Sequence, residues 1–274
     1  MKKYFILFLA VIISAFISCK KANNTPQPQQ PAIPVDDART VLLKDVMAQS
    51  LPNPYFHFTY DSLHYVKQIN FASGLNIYNV EYENKRVKKM TSIISNNSIL
   101  YSYSNNQVSE INEFSGRTGN KVLSYRLSYN SSNQLIEVLW FEFSDNSNGN
   151  LYKKAVLTYQ ADDNLASIDH YSISAGQLSW TSRDQFSNYD DKTNVDDFYL
   201  LEDFFDTYLF LPRVKLQKNN PLKQQINTIQ NDYDISYTYK YENNLPVQKT
   251  GMLKQTRGAG SGQSLQITDL FNYY

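Results

Sequence analysis

The stretch from Lys121 to Trp140, KVLSYRLSYNSSNQLIEVLW, decides the fold class. In its first half Leu123, Tyr125, Leu127 and Tyr129 alternate with Ser124, Arg126 and Ser128. A period of two marks a strand with one greasy and one wet face, because successive side chains of an extended chain point to opposite sides. Asn130 to Gln134 then supply turn chemistry, and Leu135 and Val138 open a returning strand. This segment alone spells one β-hairpin.

The same pattern recurs along the chain. It appears as Tyr60-Asp61-Ser62 with Val66 and Ile69, as Tyr82-Glu83-Asn84 with Val87 and Met90, and as Tyr103-Ser104-Asn105-Asn106 with Val108 and Ile111. Tyr129 with Leu135 and Val138 and Tyr159 with Leu165 and Ile168 continue it, and weaker copies sit at Tyr189-Asp190-Asp191 and at Tyr241-Glu242-Asn243-Asn244 with Leu245. The tyrosines lie 22, 21, 26, 30, 30 and 52 residues apart. Asn tolerates the left-handed backbone of tight turns, so a chain full of hairpins manages with only nine glycines. The expected fold is all-β: an antiparallel meander of repeated hairpins forming a curved sheet or soluble barrel, with strands of about six to eight residues and the Tyr/Leu face turned inward.

Two segments need the repeat, or its absence, to be read. Residues 38–49 could be a short amphipathic helix by periodicity, but Leu43-Lys44-Asp45-Val46 matches Leu135-Ile136-Glu137-Val138, which predicts a strand. One short helix is expected near residues 195–210, in the long gap between repeats. Asn194 can cap it, Asp196 and Asp197 fall in its first turn, and Phe198, Leu201, Phe205 and Tyr208 share a face. It should end near Pro212 and pack on the sheet or close one mouth of it.

The N-terminus reads as an address. Lys2 and Lys3 precede an apolar run from Tyr4 to Ile17, then Ser18 and the only cysteine, Cys19. That is a secretory signal, too short for the roughly 20 apolar residues of a membrane-crossing helix. The arrangement resembles a bacterial lipoprotein signal, whose cysteine is lipidated and becomes the first mature residue. Phe16-Ile17-Ser18-Cys19 departs from the usual Leu and small residue before that cysteine, a relaxation familiar in Bacteroidota. The expected organisation is a signal peptide over 1–18, the lipidated cysteine and a Pro/Gln/Asn tether over 19–37, and a single β-repeat domain over 38–274. The tether holds Pro26, Pro28, Pro31 and Pro34 and suits an extended spacer. Lys20 and Lys21 stand where surface-exported lipoproteins often carry acids, which favours the periplasmic face of the outer membrane over the cell surface.

The hairpins are similar to the YD repeats of large bacterial shell proteins. More closely, the repeats, with Tyr189-Asp190-Asp191-Lys192, Lys218-Asn219-Asn220-Pro221 and the Tyr-rich strand through Tyr241, resemble an uncharacterised lipoprotein family of Bacteroidota, a domain of unknown function with a porin-like β fold. The resemblance spans roughly residues 38–274 and implies no catalytic residues. The closing aromatics Phe271-Asn272-Tyr273-Tyr274 are of the kind that outer-membrane barrels carry.

Composition narrows the function classes. Lys and Arg number 26 against 26 Asp and Glu, and removing Lys2 and Lys3 with the signal leaves 24 against 26, a balance of −2. Near-neutral charge argues against capture of nucleic acid or of anionic lipid, so membrane attachment falls to the lipid anchor. One cysteine and three histidines, His57, His64 and His170, leave no disulfide framework and no expected metal site. The acid pairs Asp162-Asp163, Asp190-Asp191 and Asp196-Asp197 read as turn and helix-start chemistry, and Gly258-Ala259-Gly260-Ser261-Gly262 as a hairpin tip without the Lys-Ser/Thr of a phosphate loop. No Gly-x-Ser-x-Gly elbow occurs. The expectation is a non-catalytic envelope scaffold that needs no cofactor and binds a glycan, peptide or envelope protein. The alternatives are a structural or assembly component of the envelope and, behind it, a hydrolase. Trp140 and Trp180 are the candidate ligand-stacking aromatics, since the repeat does not account for them.

Overall fold

The computed structural model describes residues 36–144, 148–174, 176–201 and 209–274. The expected signal, Cys19 and all but the last two residues of the expected tether lie outside the described residues. Sixteen strands follow one another: β1 (Leu43–Ala48), β2 (Phe56–Tyr60), β3 (Val66–Phe71), β4 (Asn76–Glu83), β5 (Arg86–Ser92), β6 (Ser98–Ser104), β7 (Gln107–Phe114) and β8 (Lys121–Tyr129). Then come β9 (Leu135–Glu142), β10 (Asn150–Tyr159), β11 (Leu165–Ser174), β12 (Gln177–Thr193), β13 (Asn219–Thr228), β14 (Asp232–Glu242), β15 (Leu245–Arg257) and β16 (Ser264–Tyr273). Each pairs antiparallel with its neighbour, and β1 pairs with β16, so the meander closes into a barrel. Closure leaves no sheet edge exposed. The strand expected within residues 38–49 is β1, whose Asp45 and Val46 lie beside His57 and Phe56 of β2.

Strand length departs from the expected six to eight residues. β12 runs 17 residues and β15 runs 13. In the extension Gln177-Leu178-Ser179-Trp180-Thr181-Ser182 the apolar residues Leu178 and Trp180 face outward and are exposed, so the extension carries no buried apolar face.

The repeated tyrosine has a specific job. On every even-numbered strand a tyrosine near the end donates its hydroxyl to a backbone carbonyl at or near the start of the preceding strand. The pairs are Tyr60 to Leu43, Tyr82 to Val66, Tyr103 to Val87, Tyr129 to Val108, Tyr159 to Leu135, Tyr189 to Leu165, Tyr239 to Pro221 and Tyr273 to Pro246, at 2.6 to 3.1 Å. The aliphatic residue after each turn therefore supplies the acceptor for the next tyrosine along the wall. In the last full repeat the clasp is made by Tyr239; Tyr241 donates instead to Asp190. These clasps ring the mouth at which the chain enters through Asp36, hereafter the N-terminal mouth. Its tight turns hold both central residues in the left-handed region, Asn84-Lys85 at φ 50° and 67°, Asn105-Asn106 at 49° and 68°, and Asn243-Asn244 at 49° and 65°. That geometry matches the twist of the flanking strands.

A 16-stranded barrel is wide enough to leave an aqueous lumen, but this one is filled. The connection from β12 to β13 runs into the interior as a plug, of which residues 194–201 and 209–218 are described. Leu201, Leu209, Phe210, Leu211 and Leu216 are buried in the same apolar core as Phe56, Ile69, Met90, Ile111, Val138 and Ile168 from the wall. Phe198 meets Phe56 and Phe58 edge-on, with ring centroids 5.0 and 5.6 Å apart, and the Tyr101 hydroxyl donates to the Phe210 carbonyl at 2.8 Å. The helix expected near 195–210 is present in the described residues only as a 3-10 turn, Asp197–Tyr199; positions 202–208 of that span lie outside the described residues. The cap position of that turn is Asp196; Asn194, two residues before it, accepts the amides of Asp196 and Asp197 with its Oδ1 at 3.1 and 3.0 Å.

The outward face is polar on β14, while other strands also expose apolar side chains, among them Leu178, Trp180, Met252 and Leu265. On β14, Asp234, Ser236, Thr238, Lys240 and Glu242 are exposed while Ile235 and Tyr237 between them are buried.

Candidate functional site

The inward face is not uniformly apolar. Toward the far mouth, opposite the N-terminal one, β10 to β13 place polar side chains in the greasy phase of the alternation. His170 on β11 lies two residues from buried Ile168, and Asp184 on β12 lies two from buried Phe186. His170 Nε2 stands 3.2 Å from Asp184 Oδ2, and Gln224 Nε2 donates to Asp184 Oδ1 at 2.8 Å. The Tyr237 hydroxyl completes the chain by donating to Gln224 Oε1 at 2.5 Å. Together with Lys153, Phe186 and Tyr199 these groups line a cavity of about 380 Å³ whose floor is the plug. Lys153 Nζ lies 4.9 Å above the Trp140 ring. The chamber thus combines aromatic surface, a carboxylate, an amide and a cation, the donor set that small polar ligands require.

Behind the chamber the plug is latched to the wall by a buried ion network. Lys249 Nζ on β15 meets Asp196 Oδ2 at 2.7 Å and lies 4.6 Å from the Tyr237 ring centroid. Burial raises the proton affinity of the Asp196 carboxyl, but the Lys249 charge, with hydrogen bonds from Lys249, Asn194 and Tyr199, holds it below the ordinary carboxylate range. Lys249 is pushed well above its ordinary value because the Asp196 field overcomes its own desolvation. Both partners are therefore ionised. Asp269 on β16, directly across from Lys249 in the ladder, is a second carboxyl in the same place. Burial lifts it to about 6 against the pull of Lys249. Asp197 serves the plug's own fold, with Oδ2 accepting the Leu216 and Gln217 amides at 2.6 and 2.9 Å. The acid pair expected to start a helix is instead one latch and one loop clasp.

The two candidate stacking residues are not brought together. Trp140 is 2 % exposed and shares the inward face of β9 with Val138, packed edge-on against Tyr125. Trp180, 37 % exposed, pairs across the ladder with Tyr171 and donates its indole N–H to Asp169, which Arg183 also holds bidentately at 2.6 and 2.8 Å. Trp140 contributes to the chamber only through the Lys153 ammonium above it. His57 pairs with Asp45 at 2.7 Å, and His64 sits in the turn after β2 with φ 68°. Among the described residues, no three His, Cys, Asp or Glu side chains converge to hold a metal ion. The glycine cluster forms the tip between β15 and β16. Lys249, Asp269, His170 and Asp184 were the residues missed; the signal that reveals them is a charge in the inward phase of a strand, as with Asp269 two residues before buried Phe271.

Two solved structures share this architecture. A porin-like protein from Bacteroides uniformis superposes with a TM-score of 0.54 at 13 % identity, covering 80 % of this chain and 89 % of that one. A porin-like protein from Bacteroides vulgatus gives 0.56 at 12 % identity, covering 85 % and 99 %. The fold is porin-like. At such identities the likeness concerns the fold alone. No family model and no curated protein matches the sequence.

Proposed function

We propose that the chain is a lipid-anchored, non-catalytic protein of the bacterial outer membrane, attached through Cys19 with its barrel on the periplasmic side, and that it binds a small glycan or peptide at the far mouth. The observation that carries the reading is the far chamber, a polar, aromatic-walled cavity of about 380 Å³ above the plug. Two features favour an anchored body over a membrane-spanning one. A spanning barrel needs an outward apolar band, whereas β14 turns Asp234, Ser236, Thr238, Lys240 and Glu242 outward. The described plug residues also share the apolar core of the wall, so among the described residues the interior is not an open pore.

Replacing Cys19 by Ala should move the protein from the membrane fraction to the soluble envelope fraction; unchanged membrane association would refute the anchor. Glycan and peptide arrays probed with the purified protein should give hits that Asp184→Asn abolishes. Arrays without hits, or hits indifferent to Asp184, would remove the far chamber as the binding site. A structural role in an envelope assembly is the second reading, favoured by apolar residues at the far-mouth loops, where Leu75 and Ile229 are each 66 % exposed.

A further inference from the structure

A second cavity opens at the N-terminal mouth, remote from the chamber and independent of its reading. It encloses about 260 Å³ between the wall residues Leu43, Phe58 and Val66 and the plug residues Phe198, Phe210 and Leu211. These six are apolar, Thr193, Asn194, Asp197 and Lys215 line the cavity beside them, and the guanidinium of Arg39 borders it, 5.2 Å from the Phe210 ring centroid. Several of the barrel's cations are paired with a carboxylate: Arg183 with Asp169, Arg257 with Asp232, Lys249 with Asp196, Lys85 with Asp36. The Arg39 guanidinium makes no ion pair or hydrogen bond with any described residue; only its backbone amide is engaged, to the His64 carbonyl.

Of the carboxylates nearby, Asp197 accepts the Leu216 and Gln217 amides and faces Lys215, while Asp37 accepts the Val87 amide through Oδ2 at 2.8 Å and its buried Oδ1 has no hydrogen-bond partner. Arg39, Arg86 and Arg213 all act on that one Asp37 carboxyl. A guanidinium presents five donors in a fixed fork that matches a carboxylate in bidentate geometry. Set half-buried at the edge of an apolar cavity, it selects a ligand with an anionic head and a greasy body.

We propose that this cavity binds a small amphipathic monoanion, its carboxylate on Arg39 and its apolar body among Phe58, Val66, Phe198 and Leu211. An apolar cavity of ~150 Å³ holds one benzene, so the space here admits an apolar body of roughly ten carbons on the same scale. A medium-chain fatty acid and a bicyclic aromatic acid both meet that description.

The test uses the body from residue 36 to 274, which contains every described strand, the closing β1–β16 pair and the described core. Calorimetric titration with decanoate, 2-naphthoate and decanol separates head from body. At least one carboxylate should bind with one site per chain, and decanol at least tenfold more weakly; the ratio of decanoate to naphthoate tells the aliphatic from the aromatic source. Arg39→Gln should reduce the carboxylates to the level of the alcohol with an unchanged melting temperature. Should that variant fail to fold, Arg39→Lys, which keeps the charge and loses the fork, must still weaken them. Absence of binding by both acids, equal binding of decanol, or carboxylate binding indifferent to position 39 would each overturn the proposal.

Discussion

Asp269→Asn should stabilise the protein at neutral pH and lose that advantage in acid. The folded barrel holds the Asp269 carboxyl at about 6, against an ordinary value of 3.8, because burial outweighs the attraction of Lys249. A raised carboxyl is a cost to the fold when ionised: above pH 6 the folded state bears the desolvated charge and the unfolded chain does not. The cost is full above about pH 7 and fades as pH falls through 6 toward 3.8. At 1.36 kcal/mol per pH unit, the gap corresponds to about 3 kcal/mol at pH 7.5 and about 0.5 kcal/mol at pH 4. Asp269 is partly solvent-accessible, and relaxation and the effective interior dielectric reduce the upper figure, so about 1.5–3 kcal/mol is expected at pH 7.5. Urea unfolding of both proteins at pH 7.5 and pH 4 measures the difference, and titrations common to both cancel. A variant less stable than the parent at pH 7.5 would show that ionised Asp269 is held by Lys249 at a net gain. An advantage equal at both pH values would show that it does not come from titration at all.

The rest of the latch and the wall make further predictions. Lys249→Met should cost about 3–5 kcal/mol, since it strands the buried Asp196 charge without a partner; thermal unfolding at pH 7 reads it, and a loss under 1 kcal/mol would contradict an ionised pair. Tyr129→Phe removes one mouth clasp and should cost about 1 kcal/mol, with Tyr82→Phe adding to it nearly independently in a double mutant because the two clasps share no partner. Gly251→Ala should cost about 1–3 kcal/mol by overpacking, because a Cβ there would stand 2.9 Å from both Ile267 Cγ1 and Tyr237 Cε1; a neutral substitution would mean that the β14–β16 face can yield.

The meander was legible because its signals are local. Tyr125 and Leu127 alternate with Ser124 and Arg126 on one strand, and the turn after them carries Asn130 and Asn133, so strand, turn and return are written within one stretch of chain. The clasp was half legible: Tyr, turn and aliphatic residue repeat visibly, but the acceptor of each hydroxyl belongs to the strand before, a relation no single hairpin contains. This explains why the last anchor fell on Tyr241. In local pattern Tyr241 precedes Asn243-Asn244 as Tyr103 precedes Asn105-Asn106, and only the register of β14 on β13 makes Tyr239 the one facing the Pro221 carbonyl. Barrel closure was open between two outcomes for a similar reason, since the pairing of Val46 with Phe271 joins residues at opposite ends of the domain.

The plug follows from a different physical fact. A strand records which face is buried but not what lies opposite, and a barrel of sixteen strands encloses more space than its inward side chains fill. The chain solves this with the segment that breaks the repeat, where Phe198, Leu201, Phe210 and Leu211 are apolar without period two. The helix expectation rests on the spacing of Phe198, Leu201, Phe205 and Tyr208 and puts them on the sheet or across one mouth; among the described residues Phe198 lies in a 3-10 turn and Leu201 is buried in the core. Charges at inward positions then acquire meaning. Lys249 would be an error in a sheet that buries its face on itself, yet it is the partner of Asp196 once a loop occupies the interior, and Asp269 stands across from it in the ladder. A charge in the greasy phase of a β-repeat is thus a sign that something polar sits inside, and Lys153, His170 and Asp184 raise the same inference for the half of the lumen that the plug leaves open.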